Sequence, residues 1–331
     1  MLKSLVLLVG LVVGGAGGAQ AECVGRNLIA DLPAPVQADL SVRAAAAPYA
    51  SGLLWQAQRG DQVLTLIGTY HFDDARHVPI LARLDPLLAE ARLLLVEGGP
   101  AEEAALKAAI SRDPALMFTT TGPTLPERMD EGDWQRLAAA MDERGVPPFL
   151  AAKFQPWYAA ATLALSPCAM AELAAGAKGL DGQVIARAEA VGLPVRALEP
   201  YDTVLRLFEG LTDAEEIDLI LASLPIAAHA DDYTATLADA YFAEDIWLIW
   251  EFTRADALAN SGMTPEQVAA QFALSEELLM TRRNRAWMAV ILPALEQGPV
   301  VLAAGALHLP GETGLLRLLE AEGFAIRRLP L

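Results

Sequence analysis

The sequence predicts an α/β fold with a mixed, largely parallel sheet and long helical insertions. Three observations carry that expectation. Two apolar runs, 63–67 and 300–304, read as buried strands, and each opens into a Gly-x-x-His segment, Gly68-Thr69-Tyr70-His71 and Gly305-Ala306-Leu307-His308. Between the first of these and a third apolar run, Leu93-Leu94-Leu95-Val96, lies a helical pattern over about 78–91. Strand, helix and strand in that order make a βαβ unit with parallel strands. The stretches at about 101–175 and 201–292 carry helical periodicity broken by Gly and Pro, and read as insertions.

Residues 1–21 have the pattern of a secretory signal peptide: Lys3, a short apolar run over 5–13, and Ala19-Gln20-Ala21 as the cleavage site. The apolar run is too short for a comfortable membrane span. The expected product is a periplasmic or secreted protein of residues 22–331, a single α/β domain, with no stable membrane insertion after cleavage. The chain has 24 basic and 42 acidic residues, a net charge of −18. That balance excludes nucleic acid and anionic lipid as partners of the bulk surface. The two cysteines, Cys23 and Cys168, are expected to pair in an oxidising compartment. A catalytic cysteine is the alternative, but neither cysteine has a histidine near it in sequence.

The elements follow in order. Residues 24–50 read as an irregular lead-in with helical patches. A hairpin is expected over 53–67, turning at Arg59-Gly60-Asp61-Gln62. The helix over 78–91 places Leu81, Leu84, Leu88 and Ala91 on one face. Strand 93–96 ends at Glu97. Gly179-Leu180-Asp181 opens a helix, with Asp181 as its N-cap or, in the alternative, a residue of the site. A fourth strand over 194–198 ends at Glu199. Thr212 and Thr264 each begin a capping box. Trp247, Trp250 and Phe252 fit the core face of a helix. A helix over 314–323 and a strand over 325–329 close the chain. Tyr70 is expected to pack, and His77 and His229 are given no role.

Four strands thus end in His71, Glu97, Glu199 and His308, from a chain with only four histidines. Open α/β sheets bind ligands outside the carboxyl ends of their strands. Two imidazoles with one or two carboxylates suit a divalent transition metal such as Mn, Zn, Fe or Co, which would activate water. A metal-free arrangement is open as well: one His as general base for water, oriented by Glu97. Glu199 has a second reading, as a helix cap or an arginine's partner. HExxH and GxSxG patterns are absent, which disfavours ordinary zincins and serine hydrolases. Arg283 is a candidate oxyanion or carboxylate clamp. Arg282 and Arg285 read as a solvated helix face.

Several segments together resemble the TraB/GumN family. They are GTYH at 68–71, VEGG at 96–99, GLD at 179–181, LEP at 198–200, Arg283-Asn284 with Met288, and GALHLPGETGLLRLLEAEGF at 305–324. The family includes the Tiki-type proteins and is similar in architecture to erythromycin-esterase and ChaN-like proteins. The resemblance implies a fold of two related halves with both GxxH segments facing one cleft. For Tiki-type members it implies a metal-dependent protease, with His71, Glu97 and His308 at the motif positions. The resemblance is incomplete after His71, where FDDARH replaces the commoner Leu-Gly, and at LEP, where many members have LET. The site residues and this resemblance together make the expected function an exported metal-dependent hydrolase acting on a peptide bond, with a peptide or small molecule as its substrate. His71, Glu97 and His308 would bind the metal, and Glu97, Glu199 and Arg283 would assist catalysis. A metal-free esterase-like hydrolase and a non-catalytic binding or signalling protein are the alternatives.

Overall fold

The computed structural model describes residues 25–331. The expected signal peptide and Cys23, and with it the expected disulfide, lie outside the described residues. The chain divides into two compact units.

One unit comprises Pro100–Ala177 and Tyr201–Thr236 with the described residues 25–27. It is helical, as expected for the insertions. Its core gathers Phe154 and Tyr158 with ring centroids 4.5 Å apart. Arg144 is buried there and donates to four backbone carbonyls, those of Leu165, Ala140, Leu163 and Ala227. The Thr212–Glu215 capping box forms as expected.

The other unit comprises Leu28–Gly99, Lys178–Pro200 and Leu237–Leu331. Residues 237–292, expected within the second insertion, therefore belong with the sheet. The sheet has six strands: β1 (Leu54–Arg59), β2 (Gln62–Thr69), β3 (Leu93–Val96), β4 (Val195–Ala197), β5 (Val300–Gly305) and β6 (Ala325–Arg328). Their order is β4-β3-β5-β2-β1-β6. The β4–β3, β3–β5 and β5–β2 pairings are parallel, and β1 runs antiparallel to both β2 and β6. The expected hairpin is the β1–β2 pair.

Alternation along the strands divides the core between the two faces of the sheet. Ile67, Leu94, Val96, Val301 and Ala303 meet Leu81, Leu84 and Leu88 from the helix His77–Glu90 (α2), and Val184 and Ala188 from the helix Leu180–Ala190 (α3). Leu64, Leu66, Leu95, Val300 and Leu302 meet Trp287, Ile291 and Leu295 from the helix Arg282–Leu295 (α5), and Leu315 and Leu319 from the helix Leu315–Ala321 (α6). Every residue of β5 is buried. It lies at the centre of a layer covered on both sides, which explains its unbroken apolar run.

The lead-in departs from expectation. It holds a regular helix, Ala34–Ala45 (α1), started by Pro33 and Pro35 and burying Leu40 and Ala44. Alanine supplies helix propensity there without a strong apolar stripe, so periodicity alone understates it. The helix Ile246–Asn260 (α4) carries the expected aromatic run. Phe252 is buried in it, while Trp247 and Trp250 are half-buried with rings 6.0 Å apart.

Candidate functional site

The parallel order places four strand ends side by side: Glu199 after β4, Glu97 after β3, His308 after β5 and His71 after β2. All four polar groups lie in the sheet-bearing unit. The parallel register sets Thr69 beside Gly305 and Val96 beside Ala303, which levels the strand ends at one edge.

Gly305 marks where the groups converge. A Cβ built there would lie 3.2 Å from Glu97 Oε1, 3.3 Å from His71 Nε2 and 3.7 Å from His308 Cδ2. Its backbone N–H donates to Glu97 Oε1 at 2.6 Å. Glycine at this position keeps the point between the three side chains open.

Arg283 is the hub of the polar network. Its side chain is 3 % exposed. Nη2 donates to Glu97 Oε2 and to Glu199 Oε1, each at 2.7 Å, and Nε donates to Glu199 Oε2 at 2.9 Å. Nη1 donates to the Leu279 carbonyl and to His308 Nε2, each at 3.1 Å. A guanidinium has five N–H donors, and these contacts use all of them. Trp287 Nε1 adds a bond to Glu199 Oε2 at 3.0 Å. In this arrangement Arg283 spends every donor on the groups around it and so orders their side chains; the expected clamp on a substrate is not among these contacts. Glu199 takes the second of its two sequence readings, as an arginine's partner.

The proton positions on His308 follow from its neighbours. A guanidinium can only donate, so Nε2 accepts. Asn284 Nδ2 donates to the carbonyls of Thr313 and His308, at 2.9 and 3.3 Å, which turns its Oδ1 toward the ring. His308 Nδ1 then donates to Asn284 Oδ1 at 2.6 Å. The Trp287 ring covers the imidazole, with centroids 4.4 Å apart. Burial, first, and the Arg283 charge hold His308 neutral by pushing its pKa well below the usual histidine value, although Glu97 acts the other way. For Glu97, burial raises the pKa, but positive charge around it outweighs that, Arg283 foremost among the described residues. Its carboxyl is held well below the usual range.

His71 is held differently. The hydroxyl of Tyr241 donates to the Gly68 carbonyl at 2.8 Å, and the ring of Tyr241 stacks on Tyr70 at 5.3 Å. Tyr70 therefore packs, as expected. The start of α3 docks on the same loop, with Leu180 N–H donating to the Tyr70 carbonyl at 2.8 Å. Gly179 permits the approach, since a Cβ there would overlap the His71 carbonyl group. Asp181, expected as an N-cap, sits two residues further in, within the first turn; Gly179 is the N-cap. The Asp181 Oδ1 lies 3.4 Å from His71 Nδ1, with both side chains largely buried. His71 Nε2 makes no hydrogen bond among the described residues.

The expected metal ligands thus come together, but this arrangement of donors does not fit a divalent ion. His308 Nε2 and Glu97 Oε2 both face the Arg283 guanidinium, and Glu97 Oε1 accepts the Gly305 N–H. Among the described residues no three His, Cys, Asp or Glu side chains are grouped to hold a metal.

In the sequence, Trp287 carries no assigned role, Asn284 is marked only through the family-like Arg283-Asn284 pair, and Asp181 stands between a helix cap and a site residue. The spacing of Trp287 four residues after Arg283 was the available signal, because i and i+4 share a helix face.

A sequence profile of the TraB/PrgY/gumN family matches residues 53–328. A protein of Escherichia coli (strain K12) described as uncharacterized protein YbaP is 26 % identical over 261 residues, which cover 79 % of this chain and 89 % of that one. A protein of Shigella flexneri with the same description is similar to the same extent. No solved structure matches the chain significantly.

Proposed function

This chain belongs to the TraB/PrgY/gumN family, and from that premise and the geometry of the site we propose that it is a hydrolase in which His71 Nε2 is the general base for water. One observation carries the reading. Both imidazole nitrogens of His308 and all four carboxylate oxygens of Glu97 and Glu199 are already engaged, whereas His71 Nε2 faces the point beside Gly305 without a hydrogen bond among the described residues. Glu97 is a poor base in this setting, because a carboxyl held ionised by a buried guanidinium resists taking a proton. Its part is to hold charge and geometry, together with Glu199, Arg283 and His308. The substrate is an ester or amide of a small molecule or peptide.

The test is turnover of a panel of neutral ester and peptide substrates by the full chain, with and without a strong chelator. The His71→Ala variant should lose activity by about 10²–10⁴-fold, the usual worth of a general base. Equal turnover by that variant would remove the proposal.

A metal-dependent peptidase is the second reading. It is favoured by the approach of His71 Nε2 and Glu97 Oε1 to within 3.3 Å of one point. It requires Arg283 to withdraw from His308. Elemental analysis decides between the two: about one ion per chain, lost in His71→Ala and His308→Ala, and chelator-sensitive turnover would establish the second. An exported, periplasmic or secreted location is part of the same proposal and rests on the pattern of residues 1–21.

A further inference from the structure

We propose that Asp181 is a positioning residue for His71: it holds the proton on Nδ1 and so leaves the Nε2 lone pair facing the site. The inference rests on the reading of His71 as the site's base, but it concerns a residue which that reading does not need.

The backbone makes the approach deliberate. Leu180 N–H bonds to the Tyr70 carbonyl at 2.8 Å, so the first turn of α3 is tied to the residue before His71. The absence of a side chain at Gly179 lets that turn pass directly against the His71 carbonyl group. One residue beyond the tie, Asp181 presents Oδ1 at 3.4 Å from His71 Nδ1. His71 Nδ1 is buried and makes no hydrogen bond among the described residues, and Asp181 is the acceptor within reach. Catalytic hydrogen bonds are often long before substrate binds and shorten in the complex.

A carboxylate oxygen only accepts, so the proton between the two groups belongs to Nδ1. In water an unconstrained neutral imidazole favours the other tautomer, with the proton on Nε2. That form could donate toward Glu97 but has no lone pair at the open point. The carboxylate therefore reverses the preference of the ring, and the fold supplies it from a helix start whose glycine and aspartate lie two residues apart. Orientation of an imidazole through its second nitrogen is also how outer carboxylates act on metal-bound histidines, typically worth 10- to 100-fold in activity.

The test reads the tautomer directly. The full chain would be labelled with ¹⁵N-histidine, and long-range ¹H–¹⁵N correlations recorded. The signals of His71 are identified by their loss in His71→Gln, which is tractable with four histidines. The expected spectrum shows a protonated Nδ1 and an unprotonated Nε2 in the native chain. In Asp181→Ala the proton should move to Nε2, with kcat falling about 10- to 100-fold and KM little changed. A native His71 protonated on Nε2 overturns the proposal, as does an Asp181→Ala chain with the tautomer unchanged. If Asp181→Ala fails to fold, the native spectrum still decides. Failure of the hydrolase reading is separable: the expected tautomer in a protein that turns over no ester or amide leaves the positioning role standing and removes the reaction.

Discussion

Arg283 is the residue whose loss should matter most to stability. Its guanidinium separates two buried carboxylates, and truncation leaves Glu97 and Glu199 facing each other without a counter-charge. Breaking a buried pair costs about 3–5 kcal/mol, so Arg283→Ala should lower the unfolding free energy by that amount in urea titration. The pH dependence has two windows with the same sign. Glu97 has a folded pKa below its ordinary value of 4.5. Its contribution is complete above pH 4.5 and is lost as pH falls below that value. His77 is buried among Tyr70, Tyr241 and Phe242, neither ring nitrogen has a partner among the described residues, and burial depresses its pKa from 6.5. The unfolded chain therefore gains a proton first, and stability falls as pH drops below 6.5. A stability–pH profile should show that upper limb flattened in His77→Phe, with the lower one retained.

At the scale of elements, two glycines set how closely backbone segments approach. Gly305→Ala would place a methyl 3.2 Å from Glu97 Oε1 and 3.3 Å from His71 Nε2. Those side chains can shift by a few tenths of an ångström, so the variant should fold with a melting temperature near that of the parent and yet lose most of its turnover. Gly179→Ala meets backbone rather than side chain, and should cost both stability and activity. The strand ends carrying His71, Glu97, Glu199 and His308 were legible in the sequence, because each apolar run stops at a polar residue and parallel strands place those stops along one edge. The hydrogen bonding between them was not. Arg282 and Arg285 read as a solvated face and Arg283 as a clamp on a substrate, and only the packing of α5 on the sheet shows that Arg283 is turned onto Glu97 and Glu199. Asp181 was ambiguous for a different reason: a site role was open to it, but an acidic residue in the first turn of a helix is already explained by the helix dipole. The regular helix α1 was missed because its alanines give a weak apolar pattern.

Across the whole molecule, the charge of −18 should bias substrate encounter. With Arg283 fully paired, the described residues of the site offer no free cation to offset it. Cationic substrates should therefore show higher kcat/KM than anionic ones of the same scaffold, and the gap should narrow as salt rises and the Debye length shortens from about 10 Å at 0.1 M. Kinetics at two ionic strengths check this.

The position of β5 has a consequence for how the protein is made. This strand lies between β2 and β3 in the sheet, although more than 200 residues separate it from either in the sequence. A nascent chain that has not yet reached Val300 has β2 and β3 with facing edges unfilled, and each is a template for mispairing. Closing so long a loop makes this pairing a late and slow event. His71 and Glu97 thus become neighbours only when the last part of the chain slots between them, so a polypeptide cut short before that strand would hold both residues and have no site. The sheet order thus ties assembly of the candidate site to the arrival of β5.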